Sequence, residues 1–132
     1  MGAELLCRTI TDIGSGTAPR VKQDDSLATY VKPLTKDMSP INWSRSPREI
    51  VKHICGLDPW PVATGVIGGV SLRIWRAEYT QAETTLPPGS VVAAGERGIE
   101  MAVGGGTLLI TEVQAANSKR MSAAEYLRGH KL

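Results

Sequence analysis

Between residues 62 and 113 the chain is cut into short apolar runs by glycine-rich turns, and this punctuation limits the fold more than any other feature. Residues 62–67 run into Gly68-Gly69, a pair suited to a two-residue hairpin because both positions can take positive φ. Val70, Leu72 and Ile74 then alternate with Ser71, Arg73 and Trp75, and Ala77 and Tyr79 extend the run. Residues 91–94 and 99–103 flank Gly95-Glu96-Arg97-Gly98, a second hairpin signal, and Gly104-Gly105-Gly106 leads into residues 107–113. Runs this short are poor helices, whereas alternation of period two lets a strand bury one face. Five short strands therefore predict a mainly β domain, expected as a small closed five-stranded barrel rather than an open sheet.

Helical signals flank the strands. Ser46-Pro47-Arg48-Glu49 holds a capping serine, a proline at the first helical position and a glutamate that can complete a capping box. Ile50, Val51 and Ile54 form the buried stripe and Gly56 the stop. Leu57-Asp58-Pro59-Trp60-Pro61 cannot continue a helix and is expected as a rigid corner with Trp60 in the core. A second box, Ser122-Ala123-Ala124-Glu125, opens a short helix through Leu127. At the other end, Ala3, Leu6 and Ile10, with Leu5 beside them, lie at helical spacing and need a partner surface. The stretch 12–27, with Gly14-Ser15-Gly16-Thr17-Ala18-Pro19, reads as a tether. The expected organisation is a helix over 1–13 that belongs with a missing second domain, a linker over 14–38, and the β domain over 39–132.

Convergent chemistry is not evident. His53 falls on the polar side of its helix, His130 in a tail expected to fray, and no carboxylate is spaced to orient either as a base. Cys7 and Cys55 read as small core hydrophobes and form no zinc or disulfide pattern. The glycine run at 104–106 lacks the Lys-Ser/Thr and following helix of a phosphate loop. No cofactor and no metal are expected, nor catalysis by this chain alone. No apolar run approaches the ~18 residues of a membrane span, so no membrane partner is expected and a reduced cytoplasmic protein is the simplest reading.

Net charge is only +2, but it is unevenly spread: residues 28–80 carry seven basic and four acidic side chains, 81–113 one and four, and 114–132 four and one. If the first and last segments met in space they would form one positive face. The candidate contacts are Lys32 and Lys36 on the entry segment, Arg73 and Arg76 on the second strand, and Lys119 and Arg120 before the last helix. Strict alternation puts Arg73 outward but Arg76 on the apolar side, where only a bulge would expose it. Among the aromatics that could stack on bases, Trp43, Trp60 and Trp75, the last alternates away from Leu72 and Ile74.

A set of ordered motifs resembles the carboxyl-terminal part of methionyl-tRNA formyltransferases. They are Ala28-Thr29-Tyr30 with Lys32, Leu34-Thr35-Lys36-Asp37, Ile41-Asn42-Trp43-Ser44, Gly56-Leu57-Asp58-Pro59-Trp60-Pro61, Leu72-Arg73-Ile74-Trp75-Arg76-Ala77, Pro88-Gly89, and Gln114 with Lys119-Arg120-Met121-Ser122-Ala123. Gly2-Ala3-Glu4-Leu5-Leu6 is similar to the last helix of that family's catalytic domain. The resemblance implies an OB-like domain that helps hold initiator tRNA through basic surface. It also implies that formyl transfer from 10-formyltetrahydrofolate rests on Asn, His and Asp of a Rossmann-like domain that this chain does not match. Two positions depart from the family pattern: Cys55 stands where arginine is usual and Ser118 where glycine is usual. Two rival readings are an accessory domain of a sugar or folate formyltransferase, and a protein-docking module built on the Leu5-Leu6-Ile10 helix.

Overall fold

A computed structural model describes residues 2–80 and 82–132. The chain divides into two units, residues 1–32 and 33–132. In the first, α1 (Gly2–Gly14) is amphipathic yet buries none of its residues, and Leu5, Leu6, Ile10 and Ile13 are all exposed. A single helical turn, Asp25–Leu27, follows.

The second unit is mainly β. After a short helical turn, Lys36–Met38, come α2 (Pro47–Gly56), β1 (Ala63–Ile67), β2 (Val70–Tyr79), β3 (Val91–Gly95), β4 (Gly98–Val103), β5 (Gly106–Ala115), β6 (Met121–Ser122) and α3 (Ala123–Gly129). All strand ladders are antiparallel, in the order β1-β2-β5-β4-β3, with β6 added beside β5. The expected closure is not present among the described residues. No ladder joins β3 to β1, so the sheet is open and six-stranded rather than a closed five-stranded barrel. Part of the outer edge of β1 is covered by residues 39–41: Ile41 N–H donates to the Thr64 carbonyl at 2.8 Å and Thr64 N–H to the Ser39 carbonyl at 2.7 Å.

Both capping boxes form. Glu49 N–H donates to Ser46 Oγ (3.4 Å) and Ser46 N–H to Glu49 Oε2 (3.1 Å), and Ser122 and Glu125 repeat the exchange at 3.1 and 3.1 Å. Each box satisfies amide donors that a helix start otherwise leaves unpaired. α2 lays Ile50 and Ile54 across β2, and α3 lays Ala123 and Tyr126 on β4 and β5. They complete a core of Ile67, Leu72, Ile74, Ile99, Met101, Leu108, Ile110 and Val113. Each fully buried aliphatic side chain there contributes roughly 1.5–3 kcal/mol. The β4–β5 turn is tied to the residues before α2 by Gly104, whose N–H donates to the Trp43 and Arg45 carbonyls at 2.9 and 3.0 Å. A Cβ at Gly104 would collide with the Ser44 carbonyl, so only glycine allows that approach.

Several sequence expectations are overturned here. Trp60 is 52% exposed, because the corner after α2 turns its indole outward while Leu57 and Val62 fill the core instead. Trp43 is the tryptophan packed against the core, seated over Gly65 and Gly89, whose missing side chains leave room for its ring. Cys7 and Cys55 are exposed thiols, not core residues. His130 does not fray: its ring stacks on Tyr126 with centroids 4.2 Å apart, and its Nδ1 lies 3.0 Å from the Tyr126 carbonyl.

Candidate nucleic-acid interface

The central question for β2 is how Arg76 reaches solvent. Leu72 and Ile74 are buried, Arg76 is exposed, and Ala77 packs against the core, so inward-facing parity switches from even to odd numbers. The partner strand does the same: Leu108 and Ile110 are buried at even positions, then Val113 at an odd one. The ladder shows the cause. Ile74 pairs with Val113, Arg76 with Glu112 and Ala77 with Ile110, so an extra residue is inserted first on β2 (Trp75) and then on β5 (Thr111). The register shifts re-aim Arg76 and the facing Glu112 outward together.

The result is a polar cluster on one face. Arg76 Nε lies 3.6 Å from Glu112 Oε2, and Arg120 Nε donates to the same oxygen at 2.8 Å, with a further Arg120 Nη2–Glu112 contact. The Arg120 guanidinium carbon sits 4.6 Å from the centroid of the Trp75 ring, a cation–π contact. Trp75 Nε1 donates to Gln114 Oε1 at 3.2 Å, and Gln114 Nε2 donates to the Ser118 carbonyl at 2.9 Å. Gln114 in turn faces Arg73 across the β2–β5 ladder. Arg73, Gln114 and the 115–118 turn border an open recess of about 460 Å³.

Local sequence explains where Arg120 comes from. β5 ends in a turn closed by Ser118 N–H to the Ala115 carbonyl at 3.2 Å, with Asn117 left-handed at φ 56°. Asparagine tolerates that conformation better than most residues. The chain then reverses, and Met121 and Ser122 pair with Val113 and Glu112 as β6. This reversal carries Arg120 over Trp75. Ser118 itself is not at positive φ, so its departure from the usual glycine is accommodated by the backbone.

Of the six cations singled out from sequence, Arg73, Arg76 and Arg120 gather around Glu112 and Gln114, and Lys119 is exposed on the turn beside them. Lys36 is exposed in the short helical turn and makes none of these contacts, and Lys32 lies in the other unit. Glu112 was not foreseen. A glutamate at an apparently inward position of one strand, registered with an arginine at such a position of its neighbour, is the signal that marks it.

The comparisons with known proteins bear on what this face belongs to. Residues 33–131 match the family model of the formyl transferase C-terminal domain. The chain belongs to that family. Methionyl-tRNA formyltransferase of Bacillus velezensis is 40% identical over 97% of this chain, and that of Trichlorobacter lovleyi 41% identical over all of it. The chain spans only 41% of the length of each of those relatives. Among solved structures, HypX from Aquifex aeolicus in complex with tetrahydrofolic acid has a TM-score of 0.65 over 94% of this chain and 22% of its own. Its identity is 17%, so that likeness concerns the fold. No helix among the described residues is long and apolar enough to cross a membrane, and no group of His, Cys, Asp or Glu among them is arranged to hold a metal ion.

Proposed function

We propose that this formyltransferase C-terminal domain is an accessory tRNA-binding domain that helps present initiator tRNA for formylation. The observation that carries the reading is the convergence of Arg73, Arg76 and Arg120 on one sheet face, with Lys119 on the adjoining turn and Trp75 beneath Arg120. Several cations on one face are what phosphate binding requires, since each neutralised phosphate releases condensed counterions. Contacts of this kind read backbone and shape rather than base sequence. Lys36 is a further exposed cation of the same unit in this reading, and Lys32 a cation of the other unit. The sheet serves as an OB-like platform. Formyl transfer belongs to a separate catalytic domain, and the exposed Leu5, Leu6, Ile10 and Ile13 of α1 give that domain an apolar face to meet. The whole works in the cytoplasm, where initiator tRNA is.

The rival reading is an accessory domain of a sugar or folate formyltransferase-like protein, since the family model that matches is that of formyl transferases in general. A salt titration of binding to initiator tRNA, with elongator tRNA and heparin as controls, separates the two. Affinity that falls steeply with salt and drops further in Lys119→Ala/Arg120→Ala supports the tRNA role. Absence of binding at low salt refutes it.

A further inference from the structure

Three cations on the face are expected to attract phosphate, yet the group that two of them meet is an anion. Glu112 Oε2 is approached by both Arg76 and Arg120, while the Glu112 side chain is itself only 32% exposed. In a surface evolved for charge alone, that carboxylate would lower the potential and serve no purpose. Its position is built with care: it requires the register shifts on β2 and β5, and the pairing of β6 that brings Arg120 back over the sheet.

We infer that Glu112 is a positioning residue: it fixes the guanidiniums of Arg76 and Arg120 side by side as a split clamp for one phosphodiester. The inference rests on the tRNA reading above. Arg76 meets the carboxylate through Nε, which leaves its Nη groups to donate elsewhere, and its side chain is 70% exposed. Arg120 meets the carboxylate through Nε and Nη2, is held from beneath by the Trp75 ring, and keeps Nη1 to donate. Free arginine side chains lose rotamer freedom when they bind, and a clamp held in advance avoids that loss. The incoming phosphate takes the outward donors while Glu112 keeps the inner ones, so the carboxylate need not leave.

This assignment predicts an effect opposite in sign to charge counting. Glu112→Gln adds one net positive charge to the face and keeps the side chain's size. Simple attraction would tighten tRNA binding and steepen its salt dependence. Positioning makes binding weaker, by roughly three- to tenfold near ~50 mM salt, the scale set by freeing one or two long side chains. The experiment measures affinity of the full chain for initiator tRNA from about 50 to about 200 mM salt, for the wild type, Glu112→Gln, Arg120→Gln and the double variant. In the Arg120→Gln background the clamp is already broken, so adding Glu112→Gln is expected to leave binding unchanged or tighter. The inference is overturned if Glu112→Gln alone binds as well as or better than wild type. It is equally overturned if the loss is the same in both backgrounds, as a structural defect would give. Failure of the wild type to bind tRNA would instead refute the proposed function on which the inference stands.

Discussion

Lys119 and Arg120 are adjacent and both exposed, but the fold treats them differently, and replacing each by alanine exposes the difference. Arg120 makes an ion pair with Glu112 in which the side chains are 38% and 32% exposed, so solvent screens it to roughly 0.2–1 kcal/mol. Its contact with Trp75 adds about 0.5–1 kcal/mol, the usual range for a cation over an accessible ring. Arg120→Ala should thus cost about 0.7–2 kcal/mol of stability. No contact of Lys119 of this kind is seen among the described residues, and its replacement should stay within about 0.5 kcal/mol of wild type. For a unit of this size, about 1 kcal/mol moves the melting temperature by roughly 4–8 °C, so thermal unfolding followed by circular dichroism resolves the two variants. In tRNA binding each variant has one cation fewer, and the slope of log affinity against log salt should shrink by up to about 0.9 for each phosphate that is no longer neutralised. Equal melting temperatures for the two variants would mean that the Arg120–Glu112–Trp75 cluster holds nothing together, and the clamp would fail with it.

Other outcomes follow from the same structure. Gly104→Ala drives a Cβ into the Ser44 carbonyl and pulls the β4–β5 turn away from the Trp43 and Arg45 carbonyls. Loss of two backbone hydrogen bonds plus the displacement should cost about 2–4 kcal/mol in urea denaturation, and a neutral result would mean that the approach is not needed. Glu49 and Glu125 are held below the usual glutamate range, chiefly by hydrogen bonds from the Ser46 and Ser122 side chains and then by those residues' backbone amides. A lowered folded-state value means that their stabilisation is fully present above about 4.3, the unfolded value, and is lost as pH falls through the lower folded one. Melting temperature against pH should therefore decline less steeply below that point in Glu49→Gln/Glu125→Gln than in wild type, and parallel curves would count against the linkage. Trp60→Ala, at a 52% exposed site, should cost well under the ~3–5 kcal/mol typical of a buried tryptophan. A loss in that range would show the corner to be a core element after all.

Much of this was written locally. Gly68-Gly69 and Gly95 to Gly98 place the hairpins, and both capping boxes form between residues three apart, because such signals depend only on nearby backbone. The mainly β class follows from alternation for the same reason. The side of the sheet on which a residue ends up is a different matter. Arg76 and Glu112 each look inward by counting along their own strand, and only the pairing of β2 with β5 shows that the two strands shift parity together. Alternation along β2 shows that Arg76 needs a bulge, but nothing along β2 shows that Glu112 supplies its facing partner.

The sequence by itself determined five of the six strands, the flanking helices and their order, since turn chemistry, caps and period are properties of short segments, and its ordered motifs determined the family. Tertiary structure alone decided that the ladder stays open, that β6 returns along β5, that Trp43 rather than Trp60 packs against the core, and that Arg73, Arg76 and Arg120 share one face. Each of these depends on contacts between residues far apart in the chain, such as Trp75 with Gln114 and Arg76 with Glu112. Those pairings are set by how strands register and pack, and no short stretch of sequence contains them.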